Sequence, residues 1–131
     1  MMDIYVVESD ALMVARPKGI LDAQTAERIV EFIEIKEEQS ETGFNRFCDL
    51  TCLEVIQVSF AEILALTARR RAFNPNDIRV KSALLAAHPL AYGIARMYEQ
   101  MLHSPRIDVR VFSQLEAAAD WLMVKPERLT L

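Results

Sequence analysis

"IRVKSALLAAHPLAYGIARMYEQMLHSPRIDVRVF", Ile78 to Phe112, decides the fold. Its first ten residues alternate in polarity and then turn continuously apolar, the pattern of a strand that enters a core and is covered on both faces. His88-Pro89 opens a helix, because proline's fixed φ and missing N–H suit the first helical position. Ile94, Ala95, Tyr98 and Leu102 then recur at helical spacing and are expected to face inward. Ser104-Pro105 ends the helix, and Ile107 to Phe112 alternates again as a strand. Strand, helix and strand of these lengths form a right-handed crossover, so the two strands pair in parallel.

The pattern extends in both directions. Upstream, "DIYVVES" and "ALMVARP" are short apolar runs around the polar turn Glu8, Ser9, Asp10 and read as a hairpin. From Asp22, an expected N-cap, Ala26, Ile29, Val30 and Ile33 form one helix face, while Glu27, Glu31, Glu34 and Glu38 are expected on the other, with Gly43 just past the end. "NRFCDL" reads as a strand and "TCLEVIQV" as irregular. Ser59-Phe-Ala-Glu62 supplies a capping box flanked by Val58 and Ile63, and that helix runs to about Ala72. Arg69, Arg70 and Arg71 sit where the helix dipole favours cations. Asn74 to Asp77 is the next turn. Downstream, Ser113-Gln-Leu-Glu116 reads as a second capping box on a helix that packs Leu115, Ala118, Ala119 and Leu122. The sum is ββαβαβαβα, an α/β fold with a mixed five-stranded sheet and about four helices, in which the opening hairpin adds an antiparallel edge.

At 131 residues, 52% hydrophobic and 26% charged, the chain suits a single domain over 1–131 with a packed core. Asp3, Glu8 and Asp10 interrupt any leader-like apolar stretch, and no run approaches the ~20 apolar residues that cross a bilayer. A cytoplasmic protein is expected. Charge is uneven: residues 1–68 carry 5 basic and 13 acidic side chains, and residues 69–110 carry 8 basic and 3 acidic. An acidic and a basic flank could steer a charged partner; the charges are read first as solvated helix faces. A sequence pI near 5.2 lacks the basic footprint of nucleic-acid binding.

The element order, with "GILDAQTAERIVEFI", "NRFCDLT", "AYGIARMYEQ" and "VRVFSQLEAAADWL", resembles the SpoIIAA-like family, a branch of the STAS domains. The likeness covers nearly the whole chain and implies a fold similar also to CRAL-TRIO lipid-binding domains. The better understood sporulation antagonists of this group bind an anti-sigma-factor kinase and are switched by phosphorylation of a serine at the start of the helix after the third strand, in a motif close to Asp-Ser-Ser-Gly. The matching stretch here is Gln57, Val58, Ser59, Phe60. It lacks the Asp and the Gly, and the phosphorylated position falls on Val58. The resemblance therefore implies an interaction module without implying its phosphoswitch.

Five residues stand out as candidate binding groups. Ser59 can cap its helix or carry a modification. Asp49 ends a strand, where open α/β sheets gather ligands, and equally suits a turn as an acceptor of loop amides. His88 begins a helix at the same sheet edge, and Tyr92 and Arg96 follow at four-residue intervals, available for polar anchoring in a cavity beside a neighbouring helix. Cys48 and Cys52 have neither zinc-knuckle nor redox spacing, and Cys48 falls in strand periodicity. No catalytic motif, metal site or cofactor site emerges; a Ser59, His88, Asp49 combination has no spacing signature. Two readings follow. One is a non-catalytic regulatory module that docks another protein or a second copy of itself. The other takes up a small apolar ligand or touches a membrane surface, with Phe60, Leu64, Phe73 and the Met97- and Met101-bearing helix as lining. A ligand module calls for a pocket of ~300–1,000 Å³, an interaction module for an exposed apolar patch.

Overall fold

A computed structural model describes residues 2–73 and 78–130 of the chain; the turn expected at Asn74 to Asp77 lies outside the described residues. The elements run β1 (Met2–Val7), β2 (Leu12–Pro17), β3 (Gly19–Asp22), α1 (Ala23–Gln39), β4 (Asn45–Asp49), β5 (Leu53–Gln57), α2 (Phe60–Ala72), β6 (Val80–Leu85), α3 (Pro89–Leu102), β7 (Ile107–Phe112) and α4 (Leu115–Leu122). A 3-10 turn at Glu8–Asp10 closes the β1–β2 hairpin, and another at Pro126–Leu129 follows α4. The main sheet has five strands in the order β1-β2-β4-β6-β7. β1 is antiparallel to β2, and every later pair is parallel. This is the mixed sheet with four helices that the sequence predicts.

Two short strands depart from the expectation. Leu53–Gln57, read as irregular, is a strand that pairs in parallel with Gly19–Asp22 in a separate two-stranded sheet. Neither was legible locally. β5 leaves residues on both of its sides open to solvent, so it has no alternation of polar and apolar residues to read. Its conformation is fixed by a backbone partner more than thirty residues earlier in the chain, and tertiary pairing overrides weak local signals in strands.

Alternation along the main strands divides the core. Leu12, Val14, Phe47, Ala83 and Leu85 point to one face, where Ala118, Ala119 and Leu122 of α4 and Leu129 close a single buried cluster. Met13 and Ala15 point to the other face against Ile29 and Ile33 of α1, and Ala86 and Leu50 meet Ala91 and Ala95 of α3. The lone tryptophan, Trp121, belongs to the α4 side; its ring lies 5.6 Å from that of Phe112 and under the cations of Lys81 and Arg110 at 5.4 and 5.1 Å.

Helix ends follow their sequence signals with one exception. Asp22 caps α1 by accepting from the Thr25 amide, Ser59 and Glu62 form the capping box of α2, and the His88 side chain accepts from the Leu90 amide at the start of α3. The second capping box does not form, because α4 starts one residue later, with Gln114 as N-cap and no side-chain cap. Glu116 therefore stands one position too early to reach back to the cap amide. After α1, Gly43 turns the chain into β4 with φ of +80°, and a Cβ there would sit 2.6 Å from Ile78 Cγ2. Both the conformation and the approach require glycine.

Candidate functional site

The chain passes from β2 through β3 to α1, from β4 through β5 to α2, and from β6 to α3, so these three helices all start at the C-terminal end of the parallel strands. Four of the five sequence candidates gather there, yet their side chains do not form one constellation. Asp49 closes β4 on the α4 side of the sheet. Its Oδ1 accepts from the Thr51 amide and hydroxyl at 2.9 and 2.6 Å, and its Oδ2 accepts from Arg16 Nε at 3.1 Å. Arg16 in turn donates to the Leu129 carbonyl, so the loop-acceptor reading of Asp49 describes its bonds. Ser59 and His88 lie on the other side of the sheet, each engaged with its own helix N-terminus. The geometry therefore builds no Ser-His-Asp relay.

Tyr92 and Arg96 occupy the solvent face of α3 rather than a cavity wall. Tyr92 is exposed, and Arg96 pairs with Glu99 one turn along. The anchoring position that the sequence suggested for them is filled instead by Ile94, Ala95 and Tyr98, which face the sheet. Phe60 and Leu64, expected as cavity lining, are likewise outward, 58% and 49% exposed.

A Ser59→Ala substitution should remove the α2 cap at a loss of about 1 kcal/mol, whereas Ser59→Asp keeps an acceptor and should stay within a few tenths. Urea denaturation of the two variants beside the wild type measures the difference.

The cavity lies between the sheet and α1, α2 and α3. It has a volume of about 120 Å³ and a wall drawn from Met13, Ile29, Ile33, Cys48, Ile63, Leu84, Ile94, Ala95, Tyr98 and neighbouring residues, with Arg46 at its edge. Burial beside this space pushes the Cys48 thiol up to about 12, so Cys48 is a packed, unreactive side chain as its strand periodicity suggested. Burial also raises the Tyr98 phenol, against the opposing charges of Arg70 and Arg46.

Below the cavity, toward the C-terminal ends of α1 and α2, is a charged cluster that the sequence reading missed. Glu37 Oε2 accepts from Arg46 at 3.1 Å, Arg70 at 3.0 Å and Arg106 at 3.1 Å. Glu34 accepts from Arg70 at 3.2 Å and Arg69 at 2.7 Å. Glu34, Glu37, Arg46, Arg70 and Arg106 are all buried. The reading of these charges as solvated helix faces is thus corrected, and Glu34 in particular belongs to the inner face of α1. A signal was present: Glu34 follows Val30, and Glu37 follows Ile33, at the four-residue spacing of the apolar stripe. Arg70 continues the Ile63, Thr67 stripe of α2 in the same way. Burial alone would raise the Glu37 carboxyl, but hydrogen bonds from Arg70 and Arg106 and the charges of Arg46 and Arg70 outweigh it and hold Glu37 below the usual carboxylate range. Burial pulls the Arg46 guanidinium down to about 10, with the charge of Glu37 opposing.

Among the described residues, no group of three or more His, Cys, Asp or Glu is placed to hold a metal ion, and no helix is long and apolar enough to cross a membrane. Compared with solved structures, the chain is similar to an uncharacterised protein of the DUF3478 family with a SpoIIAA-like fold from Shewanella loihica PV-4. The TM-score is 0.58 at 16% sequence identity, over 93% of this chain and 92% of that one. The fold is SpoIIAA-like. At that identity the likeness speaks to architecture alone, and the SpoIIAA-like sheet and helices account for where the cavity and the exposed helix starts lie. No family model and no curated protein matches the chain.

Proposed function

We propose that the chain is a non-catalytic regulatory module that docks a partner protein through the end of the fold where α1, α2 and α3 begin. One observation carries this reading. Of the eight large apolar side chains that are exposed among the described residues, six lie at that end: Ile20, Val55, Phe60, Leu64, Leu90 and Tyr92. Ile20 and Val55 are register partners across β3 and β5, and Phe60 and Leu64 are one turn apart on α2, so four of the six come as two adjacent pairs. Covering a phenylalanine or leucine side chain contributes ~1.5–3 kcal/mol, and a few such anchors suffice for a specific interface. The SpoIIAA-like fold supports the reading by analogy, since fold by itself does not specify function. Regulation through Ser59 is not required, because its hydroxyl already caps α2. Uptake of a lipid has less support: about 120 Å³ is well under the ~300 Å³ at which ligand pockets of that kind begin.

The test is in-cell crosslinking of tagged wild type and a Phe60→Ser/Leu64→Ser double variant, whose native circular dichroism confirms an intact fold. A partner crosslinked to the wild type should fall at least about tenfold in yield with the variant, as expected when two anchors are lost. Identical crosslinks from both proteins overturn the proposal. Sedimentation equilibrium identifies a second copy as the partner if the wild type is a dimer that the double variant breaks.

A further inference from the structure

The two faces of the main sheet are closed unequally. On the α4 side, ten buried residues form one continuous cluster. On the side covered by α1, α2 and α3, the buried apolar residues fall into three smaller clusters, and the cavity of about 120 Å³ lies among them. Three helices therefore cover that face without filling it. Protein interiors are otherwise packed to crystal-like density, so an apolar recess of this size, walled by the sheet and three helices and partly open to solvent, is a distinctive feature of the molecule. Apolar cavities of comparable volume stay dry and take up molecules the size of benzene.

The wall is largely apolar, and its polar side chains are those of Arg46, Ser82 and Tyr98. Arg46 reaches from β4 into this layer and is 4% exposed. Its Nη1 donates to Glu37 and its Nη2 to the Phe44 carbonyl, but its Nε–H is buried without a partner. A buried donor left unmet is unfavourable and is normally satisfied by protein or ordered water, a place that a bound molecule can take. Arg46 is also a wall residue of the cavity.

We propose that this cavity binds a compact apolar molecule of about six non-hydrogen atoms that carries a single hydrogen-bond acceptor, such as a small cyclic or branched ketone. The apolar walls select its size and shape, and Arg46 meets its acceptor. This inference is independent of the docking surface, which uses the opposite, outward sides of the same helices.

The test compares two isosteric probes, cyclopentanone and methylenecyclopentane, which differ only in C=O against C=CH2. Each is titrated into the full-length protein and followed by methyl NMR. Both should give saturable shifts confined to Ile29, Ile63, Leu84, Ile94 and Ala95, with cyclopentanone binding about tenfold tighter, as a charge-assisted hydrogen bond implies. Ala95→Leu, which fills the space, should abolish both sets of shifts. Arg46→Met should erase the preference for the ketone, and should it fail to fold, the wild-type comparison decides alone. The Phe60→Ser/Leu64→Ser protein should bind both probes as the wild type does, so failure of the docking proposal and failure of this one are separable. Absence of saturation by either probe at millimolar concentration, shifts confined to surface methyls such as that of Leu64, or equal affinity for the two probes overturns the proposal.

Discussion

Glu37→Ala should destabilise the protein by about 3–5 kcal/mol, enough to unfold much of the population of a domain of this size, because it strands buried guanidinium groups whose desolvation is otherwise offset by that carboxylate. Glu37 accepts from Arg46, Arg70 and Arg106 at 3.0–3.1 Å, so a single truncation removes the anion shared by three buried cations. Urea denaturation monitored by circular dichroism measures the loss. The same carboxylate gives stability a pH dependence of fixed sign. Its folded pKa is held below the unfolded value, so its contribution is fully present above the unfolded pKa of about 4.3 and is lost as pH falls through the lower, folded value. Acid unfolding should therefore begin below about pH 4.3, and Glu37→Gln, which cannot ionise, should flatten that limb. Asp22, whose cap bonds from Thr25 also hold it low, contributes a slope of the same sign below its own unfolded value of about 3.9.

Phe47→Ala should cost a further measure of the same order, about 3–5 kcal/mol. Phe47 is fully buried at the centre of the sheet, on the α4 side, in one cluster with Leu12, Val14, Ala83 and Leu85. A truncation there leaves a hole that a central strand with partners on both sides cannot collapse to fill. Chemical denaturation of this variant, with an unchanged denaturant slope, separates lost packing from a change in the unfolded chain.

How far the sequence reveals this molecule depends on the range of the forces involved. The parallel strands and four helices were legible because Ile78 to Phe112 and the stretches around it carry their own periodicity and caps, as Ser59 with Glu62 and His88 with Pro89 show. β3 and β5 were not, because their pairing is the only thing that makes them strands. The candidate site divides along the same line. Ser59, His88 and Asp49 were found as chemical types; the bonds of Ser59 and His88 are local, to Glu62 and Leu90, while Asp49 joins a local bond to Thr51 with a distant one to Arg16. The Glu34–Glu37 cluster is hidden because charge ordinarily marks a solvated face, although its spacing on α1 points inward. A cavity beside α3 was expected, but its lining was not legible, since the shape of such a space is a property of how three helices meet.

The placement of Trp121 between Phe112, Lys81 and Arg110 makes the chain's single indole a natural optical reporter. Its emission should follow release of the C-terminal helix and remain indifferent to what enters beneath the other three, so loosening of the two sides of the sheet can be timed separately in one unlabelled sample.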